Sequence, residues 1–71
     1  MSIFDEAKYE EREREVREYM VAQGVSLSEL AAEFRVSRST AARQLKTVNN
    51  VSDMIQVVDR IAERKAGENA G

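Results

Sequence analysis

Apolar residues along this chain recur at spacings of three and four, the period of one side of a helix, and almost nowhere alternate as a half-buried strand would. From Tyr9 to Arg17 nearly every position is charged, and only Val16, Tyr19, Met20 and Gln23 form an inward stripe. The pattern predicts a first helix over 5–23. Asp5 caps it behind Ile3 and Phe4, and Gly24 stops it, being the residue type that most readily turns left-handed beyond a helix end. Glu10 with Arg14, and Glu13 with Arg17, stand at the supportive spacing of four, worth about 0.2–0.5 kcal/mol a pair. Ser26-Leu27-Ser28-Glu29 then spells a capping box, with Val25 and Leu30 at the spacing of a hydrophobic staple. A short helix therefore starts at Leu27 and turns Leu27, Leu30, Ala31 and Phe34 to one side.

Residues 35–37 interrupt that side. Ser37 caps a further helix in which Ala41, Leu45 and Val48 point inward, and Asn49 and Asn50 mark the next turn. Behind the turn, Val51, Met54, Ile55, Val58, Ile61 and Ala62 predict a last helix over 52–65, capped by Asn50 or Ser52, with a disordered polar tail at 66–71. The expected fold is all-α, a small domain of about four helices. One rival pattern lies in Ile55-Gln56-Val57-Val58, a β-favouring run. With residues 55–71 as a partial wing it would make a winged helix, although no residues remain for the returning strand.

The chain has 71 residues with no His, Cys, Pro or Trp, which narrows the chemistry it can carry. A domain of this length buries only about 60% of its unfolded surface. Without His or Cys there is no zinc finger, disulfide framework, thiol nucleophile or imidazole base, so neither a metal nor an enzymatic role is expected, and no cofactor. Carboxylates are plentiful but sit on exposed helix faces, where nothing raises a pKa for acid–base work. The short apolar runs and the acidic start give no membrane span and no signal peptide, and the reading is a cytoplasmic protein.

The net charge of −2 hides an asymmetry. Residues 1–24 carry −3, residues 25–51 carry +2 and residues 52–71 carry −1. Between Glu33 and Asp53 there is no acid, while Arg35, Arg38, Arg43 and Lys46 fall in that window. On the helix starting at Arg38 the outward side holds Arg38, Ser39, Ala42, Arg43 and Lys46: cations, a hydroxyl and a small residue. Such a side enters a major groove without clash and offers donors to base edges and phosphates. The same residues also fit the solvated side of an ordinary bundle helix. Ser37 reads first as a cap, while Ser39 and Thr40 stand where a phosphate or base would be met.

Residues 27–46 have the spacing of a helix-turn-helix, with Ala31 and Ala41 as the small residues at the crossing and Leu30, Phe34, Val36 and Leu45 filling the wedge. The segment Leu30-Ala31-Ala32-Glu33-Phe34-Arg35-Val36-Ser37-Arg38-Ser39-Thr40-Ala41 resembles the motif of many bacterial and phage helix-turn-helix transcriptional regulators. In layout the chain is similar to the stage III sporulation protein D family, over about residues 12–68 and most specifically over 30–45. The resemblance implies a sequence-specific transcription factor whose second motif helix reads the major groove of double-stranded DNA through Arg38, Ser39, Thr40, Arg43 and Lys46. It further implies that Arg60, Arg64 and Lys65 of the last helix touch the neighbouring backbone. Arg35 and Ser37 join the expected contacts from the turn. Two positions depart from the pattern: Arg35 stands where Gly is usual, at about 1 kcal/mol if left-handed, and Ala41 where a branched residue is usual. A second protomer or RNA polymerase is the expected further partner, because one short helix reads only about 4 base pairs. The rival class is a protein-interaction module, such as an antitoxin, a phage anti-host factor or a polymerase-binding domain. A phage packaging or excision protein would share the DNA chemistry.

Overall fold

The computed structural model describes residues 6–70, with side chains over 7–68; the cap expected at Asp5, with Ile3 and Phe4, lies outside the described residues. Four helices follow one another: α1 (Glu6–Gln23), α2 (Leu27–Phe34), α3 (Arg38–Lys46) and α4 (Val51–Ala70). Helix α1 packs on α3 and α4, and α2 packs on the same two. The core is Val16 and Met20 of α1, Val25 of the first turn, Leu30 of α2, Leu45 and Val48 from α3 and its end, and Val58 and Ile61 of α4. Tyr19, Leu27, Phe34, Val51, Met54, Val57 and Ala62 close around it. Leu30, Leu45, Val16 and Val58 are the largest fully buried side chains, and burial of each contributes about 1.5–3 kcal/mol. No polar or charged residue is buried among those described.

Local signals place the helix ends. Helix α1 closes with the Val25 amide donating to the Met20 carbonyl at 2.8 Å and the Gly24 amide to Val21 at 3.1 Å, with Gly24 left-handed at φ 70°. The capping box at α2 forms in both directions: Glu29 N–H donates to Ser26 Oγ at 3.1 Å and Ser26 N–H to Glu29 Oε1 at 2.9 Å. Asn50, rather than Ser52, caps α4, its Oδ1 accepting from the Asp53 amide at 3.2 Å. Of the two pairs expected on α1, Glu13–Arg17 closes at 2.9 Å.

At the C-terminal end the expected last helix forms as α4, the rival wing does not, and the expected tail is corrected. Residues 55–70, which a wing would need as strand and loop, are helical, and no strand occurs among the described residues. The β-favouring run is overridden because a helix turns Val58 and Ile61 into the core together, whereas a strand would separate them. Ile55 is only half-buried, and Val57 packs on the core in its place. The helix also continues past residue 65 through Gly67 to Ala70, where a disordered tail was expected; with no Pro to break it, only Gly67 weakens the extension, by about 0.5–1 kcal/mol.

Candidate nucleic-acid interface

Helices α2 and α3 meet through the turn 35–37. Helix α2 ends in the same closure as α1: the Val36 amide donates to the Ala31 carbonyl at 3.0 Å and the Arg35 amide to Ala32 at 3.2 Å. The left-handed residue this time is Arg35, with φ 58° and ψ 44°. It is the one non-glycine residue with positive φ among those described. An L-residue pays roughly 1–2 kcal/mol for that conformation because its Cβ crowds the following carbonyl. Ala31 and Ala41 are both buried on the packed sides of the two helices, as close approach requires.

Ser37 is the N-cap of α3. Its Oγ accepts from the Thr40 amide at 3.2 Å and donates to Thr40 Oγ1 at 2.9 Å, and Ser39 Oγ lies 3.3 Å from it. The three hydroxyls form one cluster at the start of the helix, with Thr40 half-buried and drawn into the cap while Ser37 and Ser39 stay exposed. Beyond the cluster Arg38, Arg43 and Lys46 are exposed, and Ala42 is half-buried between them. Among the described residues, neither these three cations nor Arg35 has a carboxylate within ion-pair distance.

The cations of α4 are placed differently. Arg64 Nη2 meets Glu33 Oε1 at 2.9 Å, Arg60 Nη1 meets Glu33 Oε2 at 3.8 Å, and Lys65 Nζ meets Glu29 Oε2 at 3.0 Å. Lys65 also donates to the Gly24 carbonyl, which ties α4 to the turn before α2. The structure thus gathers Arg35, Ser37, Arg38, Ser39, Thr40, Arg43 and Lys46 on α3 and its preceding turn, and sets Arg60, Arg64 and Lys65 against the acids of α2. Glu29 and Glu33 were not anticipated in that role, yet a signal was present: both pairs, Glu29 with Glu33 and Arg60 with Arg64, are spaced by four, one side of a helix each. The Ser26 amide and Lys65 together hold the Glu29 carboxyl below its ordinary range, the backbone hydrogen bond being the larger cause.

Helix α1 buttresses this arrangement from behind. Arg12 donates to the Val48 carbonyl at 3.2 Å, satisfying the end of α3, and stacks over Tyr9 at 5.1 Å, while Tyr9 Oη reaches Asn49 Oδ1 at 3.3 Å. Tyr19 donates its hydroxyl to Asp59, and this bond, with burial and the carboxylate charge, pushes the phenol pKa up. No helix among the described residues is long and apolar enough to cross a membrane, and no group of acidic residues among them has the arrangement of a metal site. Compared with known protein families, curated proteins and solved structures, the chain matches none.

Proposed function

We propose that this chain binds double-stranded DNA as a transcriptional regulator, with α2 and α3 acting as a helix-turn-helix and α3 entering the major groove. The observation that carries the reading is the state of the cations. Arg35, Arg38, Arg43 and Lys46 stand exposed with no acid in reach among the described residues, while the acids closest in sequence, Glu29 and Glu33, are taken up by α4. A positive field is thereby concentrated on one side of a mildly acidic protein. Phosphate contacts fall to Arg35, Lys46 and the Thr40 hydroxyl, whose own proton is left free because Ser37 donates to it; base edges fall to Arg38, Ser39 and Arg43, since Arg offers two parallel donors to guanine. Strain at Arg35 supports the same reading, because a left-handed position where Gly would be easier carries an exposed cation. One helix of this length reads about 4 base pairs, so a second protomer, a flanking contact or RNA polymerase completes site selection.

Binding of a random-sequence duplex against salt tests the proposal. On such a duplex no base sequence is matched and Arg35, Arg38, Arg43 and Lys46 all fall on phosphates; four such contacts give a log–log slope of about −3.6, and replacing Arg43 and Lys46 by Ala brings it to about −1.8 with little change in melting temperature. No binding at 50 mM salt overturns the reading. A second reading, a protein-interaction module, draws on α1, whose outer side exposes Glu10, Glu11, Glu15 and Glu18 beside Val21, an apolar side chain 80% exposed. That surface fits a basic protein partner, and it predicts protein capture that survives the Arg43→Ala/Lys46→Ala change.

A further inference from the structure

Glu33 sits between two arginines one helical turn apart, and burial across this group is uneven. Its side chain is 15% exposed, against 64% for Arg60 and 55% for Arg64. A guanidinium that leaves for a phosphate stays in water throughout. The carboxylate it leaves is a largely covered charge without a counter-charge, and that is the costly half of the exchange. Position matters as well. Glu33 and Arg35 are two residues apart, so their Cα atoms lie within about 7.6 Å, less than the Debye length of about 10 Å at 0.1 M salt. The Arg60–Glu33–Arg64 group therefore borders the basic turn from which α3 starts. Lys65 stands apart from it, held at the other end of α2 by Glu29 and the Gly24 carbonyl.

From this geometry we infer that Glu33 is an internal counter-charge that withholds Arg60 and Arg64 from DNA phosphates, limiting sequence-independent affinity while the cations of α3 remain available. The inference rests on the DNA-binding reading above and deepens it: Glu33 sets specificity without touching base or phosphate. Each cation released to a phosphate adds about 0.9 to the steepness of the salt dependence, or about eightfold in affinity at 0.1 M salt.

The test is a double-mutant cycle on a random-sequence duplex with the wild type, Glu33→Gln, Arg60→Gln/Arg64→Gln and the triple variant, each checked for helical content. Glu33→Gln steepens the slope by about 0.9–1.8 units and tightens binding by about 8-fold for one released cation or about 60-fold for two. Arg60→Gln/Arg64→Gln bares the Glu33 carboxylate beside the basic turn and weakens binding, but without the loss of about 1.8 units of slope that two lost phosphate contacts would give, and the triple variant returns to the wild-type slope. Should Glu33→Gln fail to fold, Glu33→Asp, whose shorter side chain draws back from both guanidiniums, takes its place with the same two outcomes; in either case a slope shallower by about 1.8 units in the arginine variant overturns the counter-charge, since the arginines would already be on phosphate. A folded Glu33→Gln with the wild-type slope overturns it equally. If none of the four binds duplex at 50 mM salt, the DNA reading falls and takes the counter-charge with it; any other failure leaves that reading standing.

Discussion

Arg35→Gly is the substitution on which the motif geometry makes its sharpest demand. Arg35 holds φ 58° and ψ 44°, and the Arg35 and Val36 amides close α2 as the Gly24 and Val25 amides close α1. Relieving the left-handed penalty returns roughly 1–2 kcal/mol. Glycine gives back about 0.4–1 kcal/mol through the greater freedom of the unfolded chain. The net gain is about 0.8 kcal/mol at mid-range, with extremes of about 0 and 1.6, against the roughly 3–5 kcal/mol that a core of this size supplies. For a domain in this size range it corresponds to a rise of about 2–8 °C in melting temperature. Arg35→Ala is the necessary control, since it removes the guanidinium but keeps the Cβ; Arg35→Asn should fall between, because Asn tolerates the conformation better. Thermal melts of the four proteins, with urea melts to show an unchanged m-value, give the order Gly above Asn above Ala. A Gly variant no more stable than the Ala variant would refute the argument, for the backbone at 35 would then carry no strain. The same proteins separate stability from binding: if the guanidinium meets a phosphate, Gly and Ala both lose about 0.9 from the salt slope although only one gains stability.

Two further outcomes concern the scaffold. Leu45→Ala removes a fully buried side chain at the centre of the core and should cost about 2–5 kcal/mol, enough to abolish a cooperative melt by circular dichroism; retention of a sharp transition near the wild-type temperature would show that α3 is held by something other than this contact. Glu29 has its folded pKa below the ordinary carboxylate value, so the stability it contributes is present above that ordinary value and is lost as pH falls through the lower, folded one. Urea melts from neutral to acid pH should therefore show the wild type ahead of Glu29→Gln at neutral pH and the gap closing in acid; a gap independent of pH would mean the charge contributes nothing.

Much of the fold was legible because its signals are local. The capping box at Ser26, the cap at Ser37, the stop at Gly24 and the Asn50 turn each depend on residues within four positions, and all four form. The period of the apolar residues likewise placed Val16, Met20, Leu30, Leu45, Val58 and Ile61 inside. The last segment was less legible. Val57 and Val58 favour a strand in isolation, against the helical spacing of the apolar residues around them, and packing on the core sides with that spacing. Gly67 similarly invited an early end, which the backbone does not make.

For the candidate interface the division is sharper. The sequence by itself determined that a run free of acids carries Arg35, Arg38, Arg43 and Lys46 on a capped helix, because charge and capping are written along the chain. Only the tertiary structure decided which cations are free. Arg60, Arg64 and Lys65 look equally basic in the sequence, but they lie 27–36 residues from the acids they meet. Pairing across that separation is created by the packing of α4 on α2, and no local rule reaches so far.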